Sequence, residues 1–252
     1  MNKSILLYLH IPKTAGTTIN SILQKQYTEA EKLNYFSGSY EDFLDVLKEN
    51  VQTNPKLKCV MGHYKFGIHD YIPEDCTYIT LLRNPIERVL STFYFIRRDR
   101  YHPFHKAAKK MSLKEFVLSE EIGAKYLVFN TQTTFLSNQF PPGPNSLEMA
   151  KRNIENHFNL VGITERFDES LFLMKREFGW EDINYMPRNV TRNRPCPQQH
   201  PMEVIEIIKS KNLFDIELYE HANYLLNIKI NKLDNEVKQD LQKFLNRNSK
   251  KN

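Results

Sequence analysis

Cysteine is scarce in this chain. Cys59, Cys76 and Cys196 are scattered over 252 residues, too few and too far apart for a disulfide framework or a zinc site. Cys59 and Cys76 lie in or beside strand-like runs and read as reduced core thiols. Long apolar runs are missing too. Only Ile5 to Leu9 separate the Lys3 and Ser4 pair from His10, less than the core of a secretory signal, and no later run approaches a membrane span. The expectation is a cytoplasmic protein without a membrane anchor. No internal repeat is visible. Charge of either sign is not in large excess: 35 Lys and Arg against 30 Asp and Glu leave +5. That suits an anionic ligand or an acidic polymer, but it is neither large nor concentrated enough for nucleic acid.

What is present describes a soluble globular protein, with 40% hydrophobic and 26% charged residues. The length suits one large α/β domain or two small ones. The reading is a single domain over residues 1–245, followed by a polar basic tail, 246–252, that frays.

The chain is organised around Leu6 to Asn20, LLYLHIPKTAGTTIN. It opens apolar, as a buried strand does. Pro12 and Gly16 break the run, and Thr17, Ile19, Ile22 and Leu23 then recur at helical spacing. Strand, tight loop and helix aim backbone N–H groups and a helix N-terminus at one point, which favours an anion. Lys13 adds a cation; Thr14, Thr17 and Thr18 add hydroxyls. This is not the common phosphate loop, whose Lys follows its second Gly. Here Lys13 precedes Gly16, and Ile11 stands where the first Gly would be.

Further strands are expected from Lys58 to His63, Thr77 to Arg83 and Asn159 to Ile163. Helices are expected after the caps Ser39, Asn84-Pro85, Ser112 and Ser146, and from Asp168 to Gly179. Arg97 to Lys110 reads as a basic, aromatic surface loop or helix end, and Met186 to Pro201 as a Pro- and Arg-rich loop. Two or three helices finish the chain. Alternating strands and helices predict an α/β fold: a central parallel sheet of about four to five strands flanked by helices. Ligands bind beyond the carboxyl ends of such strands, where the candidate motifs fall.

Arg83 closes one strand and Ser91 lies about two turns into the next helix. A guanidinium fork and a hydroxyl make a phosphate cradle; alternatively Arg83 pairs with Glu87. Arg88 reads as a solvated or salt-bridged helix residue. His63 follows another strand, so its ring reaches the rim of Lys13, and an imidazole suits proton abstraction. His69 is the fallback base, and His10 has a loop-shaping role. Glu165 and Asp168 stabilise a helix N-terminus.

The PKTAGTT loop at Pro12 to Thr18 resembles the 5′-phosphosulfate loop of sulfotransferases, in the form found in their carbohydrate-sulfating branch. RNPIERVLS, from Arg83 to Ser91, is similar to the 3′-phosphate segment, in which the Arg and Ser hold that phosphate. The GH at Gly62-His63 resembles the general-base motif of that branch, best known from heparan sulfate 2-O-sulfotransferase. VGITERFDESL, from Val161, and NTQTTFL, from Asn130, resemble two more of its blocks, although Thr134 stands where an Arg is common. Asn189 to Arg194 resembles the basic loop that closes over the cofactor, so Arg192 or Arg194 contacts phosphate or an acidic acceptor, or is solvated.

The resemblance implies a P-loop-like sulfotransferase fold in a soluble, bacterial-type member. Its sites would be Pro12, Lys13, Thr14, Ala15, Gly16, Thr17, Thr18, Arg83, Ser91, Arg192 and Arg194 for 3′-phosphoadenosine 5′-phosphosulfate. His63 would be the base, with Lys13 on the departing phosphate. The acceptor would be a carbohydrate hydroxyl and no metal is required. A degenerate nucleotide kinase needing magnesium, and a non-catalytic binder of anionic glycans or nucleotides using Arg97 to Lys110, are the competing readings. Oligomeric state and acceptor stay open.

Overall fold

The computed structural model describes residues 4–36, 38–120, 122–186 and 195–249, the side chains of residues 122–124 excepted. Its centre is β1 (Ile5–Leu9), in which every residue is buried. A strand covered on both faces carries a continuous apolar run instead of an alternating one. β1 pairs in parallel with β3 (Cys59–Gly62) on one side and β4 (Cys76–Leu82) on the other. β2 (Lys32–Tyr35) and β5 (Phe158–Ile163) complete a five-stranded parallel sheet of order β2-β3-β1-β4-β5. The expected α/β architecture is therefore observed. β2 is the strand that periodicity does not reveal, because Lys32-Leu33-Asn34-Tyr35 is short, half polar and at the sheet edge.

α1 (Gly16–Gln26) follows β1, α2 (Tyr40–Thr53) follows β2, and α3 (Pro85–Arg98) follows β4. α4 (His105–Lys110), α5 (Leu113–Leu118), α6 (Ile122–Val128), α7 (Thr131–Ser137) and α8 (Pro144–His157) precede β5. α9 (Phe167–Phe178), α10 (Met202–Ser210), α11 (Leu213–Asn231) and α12 (Asn235–Ser249) complete the described helices. The chain runs from β1 outward to β2 and then back to β3. Right-handed crossovers therefore put α1 and α2 on opposite faces. Lys25 of α1 reaches Asp182, just past α9, at 2.9 Å, so α1 and α9 share a face. Phe43 of α2 stacks on Tyr64 and His157 of α8 lies against Phe66 on the other. A second apolar cluster joins Val89, Leu90, Phe93 and Ile96 of α3 to Phe116 of α5 and Ile208 of α10.

The local signals work as capping chemistry requires. Ser39 accepts from Asp42 N–H, Asn84 accepts from Ile86 and Glu87 N–H, Ser112 and Glu115 form a capping box, and Gly179 takes the left-handed cap at φ 65°. Three expectations change. α8 begins at Pro144, with Ser146 inside the first turn accepting from Gly143 N–H. Arg97–Lys110 holds the end of α3 and all of α4. α12 runs to Ser249, and Asn248 is buried and donates to Asp168 at 2.7 Å, so residues 246–249 are docked helix, not a frayed tail. Cys59 is buried, Cys76 half-buried and Cys196 exposed, all as free thiols. Among the described residues no helix is long and apolar enough to cross a membrane.

Gly62 ends β3 with no room for a side chain: a Cβ there would stand 1.8 Å from the Tyr35 carbonyl oxygen of β2. Gly62→Ala must push β2 off its neighbour. It should destabilise by about 3 kcal/mol and lower the melting temperature by roughly 6–12 °C, read by scanning calorimetry.

Candidate active site

Beyond Leu9 the β1 ladder continues for one residue, since His10 N–H donates to Gly62 C=O at 2.9 Å. The chain then turns sharply. Thr14 Oγ1 donates back to Ile11 C=O at 2.8 Å, and Lys13 and Ala15 adopt φ of 71° and 64°. Left-handed backbone at residues with a Cβ costs of order 1–3 kcal/mol each and concentrates at binding sites. Alternation of left- and right-handed residues turns successive N–H groups into one concavity, an anion nest. Ala15 C=O takes the N–H of Thr18 and Ile19. The first N–H groups of any helix have no acceptor one turn back within it, and α1 begins at Gly16.

Gly16 is required by contact instead of backbone freedom. A Cβ there would fall 1.6 Å from His10 Nε2. The His10 ring thus forms the floor of the loop, stacked on Tyr8 at 5.6 Å and beside His63 at 4.3 Å between centroids. This is the loop-shaping position expected for His10. Burial, then the neighbouring His63 and Lys13 charges, hold its imidazole well below the ordinary range, hence neutral; its Nδ1 is buried without a hydrogen-bond partner.

His63 is anchored at both ends. Its N–H donates to Tyr35 C=O at 2.8 Å, and its Nδ1 lies 2.9 Å from His10 C=O. A carbonyl only accepts, so Nδ1 carries the proton and Nε2 keeps the lone pair of the neutral ring. Burial lowers its pKa from the ordinary 6.5, against the raising effect of the His10 bond. His69 lies elsewhere. Its Nδ1 is 3.0 Å from Tyr78 Oη and its ring 4.8 Å from His157. Tyr78 precedes Leu82 by four residues, about 13 Å back along β4, so the fallback base is on the far end of the sheet from Lys13.

Arg83 follows β4 directly and shares the rim of Lys13. Its Nη1 donates to Lys13 C=O at 3.2 Å. Glu87 stands 3.5 Å from Nη2 and Glu165 3.9 Å from Nε, so the alternative pairing with Glu87 is also present. Lys13 Nζ sits 3.8 Å over the Phe95 ring of α3, a cation–π contact. Pro12 is half-buried, Thr14 and Thr18 are buried and Thr17 is exposed. Ser91 is buried on the second turn of α3. Arg192 and Arg194 lie outside the described residues.

Arg88 corrects the expectation of a solvated or salt-bridged residue. It is fully buried, donating to Thr131 Oγ1 at 2.7 Å and Leu127 C=O at 3.0 Å. Burial pushes its pKa down to about 10, opposed by Asp215. The segment from Asn130 to Ser137 is wholly buried, and Thr134 donates to Asn130 C=O, so this block faces the interior. Glu165 caps α3 instead of its own helix: Oε1 accepts from Asn84 N–H at 3.1 Å and Oε2 from Tyr219 Oη at 3.0 Å. Beyond it, residues 164–169 with Tyr185 and Leu245 line a cleft of about 390 Å³. Sequence reasoning missed Phe95, Gln132 and Asp215. Asn212-Leu213-Phe214-Asp215, a capping pattern, was the one available signal for the last. Among the described residues no three His, Cys, Asp or Glu side chains converge as a metal-ligand set.

A family model described as galactose-3-O-sulfotransferase matches residues 2–251. Galactose-3-O-sulfotransferase 2 of Mus musculus is 24% identical over 247 residues, covering 86% of this chain and 60% of that protein. Heparin sulfate O-sulfotransferase of Drosophila melanogaster is 24% identical over 271 residues, covering 96% and 77%. The chain thus spans about 60% of the first of these relatives. The crystal structure of mouse sulfotransferase SULT7A1 complexed with PAP aligns over 87% of this chain and 89% of its own, at 15% identity and a TM-score of 0.45.

Both histidines bind fewer protons in the fold than an unfolded chain does just below pH 6.5. Stability should therefore fall as pH drops below 6.5, and NMR titration should find His63 below 6.5 as its Nδ1–H tautomer. A His63 pKa above 6.5 would contradict the geometry.

Proposed function

The chain belongs to the galactose-3-O-sulfotransferase family, and we propose that it transfers a sulfuryl group from 3′-phosphoadenosine 5′-phosphosulfate to a hydroxyl of a carbohydrate, with galactose-bearing glycans first in line. The observation that carries this reading is the meeting of three loops on one rim. Those after β1, β3 and β4 are tied by the bonds from Arg83 to Lys13 C=O and from His63 to His10 C=O.

In the proposed step an acceptor hydroxyl oxygen attacks sulfur in line with the leaving phosphate. His63 Nε2 takes the hydroxyl proton, and the electron pair of the breaking S–O bond stays on the 5′-phosphate oxygen. The products are a sulfate ester and adenosine 3′,5′-bisphosphate. Lys13 and the N–H groups of Thr14 to Thr17 face the charge that grows on the leaving oxygen, as preorganised donors lower a barrier most where charge develops. Ala15 and Gly16 let the backbone approach it, with Pro12 and Thr18 bracing the loop. Arg83 and Ser91 take the 3′-phosphate and so fix sulfur against the attacking oxygen.

His63→Ala should lower kcat by about 10²–10⁴-fold, and Lys13→Ala by about 10²–10³-fold, with the fold left intact. His69→Ala should leave turnover intact. The deciding assay is calorimetry with adenosine 3′,5′-bisphosphate against magnesium-ATP, then labelled donor with a glycan panel. Preference for magnesium-ATP would sink the reading in favour of a kinase.

Glu87 raises a separate expectation. Its carboxylate faces the guanidinium offered to a dianion. Glu87→Gln should tighten adenosine 3′,5′-bisphosphate binding severalfold. Weaker binding would mean that Glu87 chiefly orients Arg83.

A further inference from the structure

We propose that Gln132 is the positioning residue that fixes Arg83 for the donor's 3′-phosphate, through a buried frame anchored on Asp215; the role of Arg83 itself rests on the reading above. Arg83 comes one residue after β4 ends, where the sheet ladder stops supplying partners. Gln132 takes over. Its Oε1 accepts from Arg83 N–H at 2.8 Å and its Nε2 donates to Arg83 C=O at 2.9 Å. A primary amide carries a donor and an acceptor on one carbon, so a single side chain clasps both backbone groups and fixes the peptide's orientation.

Gln132 is itself held without slack. It is fully buried in the first turn of α7. Asp215 of α11 caps that turn, accepting from Gln132 N–H at 3.0 Å, Thr133 N–H at 2.7 Å and Thr133 Oγ1 at 2.8 Å. The exchange is mutual: Asn130 Oδ1 accepts from Asp215 N–H at 3.1 Å, and Asn212 Oδ1 from Asn130 N–H at 3.0 Å. Two helix starts thus cap each other, and Arg88 ties α3 to the same place through Thr131. The frame ends on the backbone of the residue whose guanidinium meets Lys13 at the rim. Displacement of about 1 Å in such a group costs rate and affinity steeply.

The test separates positioning from stability. Adenosine 3′,5′-bisphosphate and adenosine 5′-monophosphate differ only in the 3′-phosphate. Their affinities are measured by calorimetry for the full chain, Gln132→Met, Arg83→Met and the double variant. Gln132→Met should weaken the bisphosphate about tenfold, the size of one hydrogen bond to a charged group, and barely change the monophosphate. On Arg83→Met it should add nothing, since coupled residues are non-additive. Thr133→Val removes a bond to Asp215 but none to Arg83; it should lower melting temperature and keep the ratio of affinities. Gln132→Asn keeps the amide but retracts it, and should lose the ratio with less destabilisation. Equal weakening of both ligands, or additivity with Arg83→Met, overturns the proposal. A native protein with no 3′-phosphate preference overturns the donor reading, and this role with it.

Discussion

Adjacent parallel strands stand about 4.8 Å apart, and that spacing is the constraint from which the site follows. β1 lies between β3 and β4. The loops that leave their carboxyl ends are therefore neighbours before any side chain is chosen. The chain moves outward from β1 and returns to the other side of it, so the helices after β1 and β4 diverge onto opposite faces and leave a crevice between them. Lys13 stands on one lip and Arg83 on the other, close enough for the guanidinium to bond the Lys13 carbonyl. His63 arrives from β3 and is pinned to the residue that leaves β1. Three sequence-distant motifs meet because the sheet order puts their strands side by side.

The rim is rigid at an energetic cost. Two left-handed residues, a neutral buried His10 with an unpartnered Nδ1, and a buried Arg88 with two unpartnered nitrogens all lower stability. Burial pushes the Asp215 carboxyl up, which the Arg88 guanidinium and the α7 N–H groups oppose. A buried arrangement of opposite charges that meet through Thr131 and Thr133 instead of each other contributes little net stability. What it specifies is geometry: α3, α7 and α11 have one register in which these groups are bonded. The large apolar core around β1 compensates.

The parts of this arrangement legible in sequence are those encoded locally. Pro12, Gly16 and the helical spacing after them mark strand, loop and helix. Asn84-Pro85, Ser39, Ser112 and Gly179 mark helix ends by capping chemistry that needs only a few residues. Long-range facts were not legible. Nothing near Arg88 says that its charge is buried, because its counter-charge, Asp215, lies on a helix far along the chain. The Asn130 block carries only a resemblance in sequence, and it faces the interior, because burial depends on α11 covering it. β2 escaped because an edge strand needs no apolar pattern. Gly16 was read as a phosphate-loop glycine, yet its close contact is with His10, a reason visible only once β1 and α1 are folded together. The motifs resemble those of carbohydrate sulfotransferases; membership of the galactose-3-O-sulfotransferase family rests on the match over residues 2–251.

The electrostatics of the rim explain how cations are kept in place for an anion. Lys13 rests on the face of Phe95, a contact of about 0.5–2 kcal/mol. Arg83 is flanked by Glu87 and Glu165 at distances beyond a close hydrogen bond, and pairs of this kind contribute about 0–1 kcal/mol when partly exposed. Such contacts restrict the side chains. A phosphate offers charge-assisted bonds of about 1.5–3 kcal/mol each, so it can replace them while the backbone that carries both cations stays fixed. Stronger carboxylate pairing would oppose the ligand; none at all would leave two long side chains to be ordered on binding. The weak flanking contacts lie between those limits, where preorganisation contributes most to affinity.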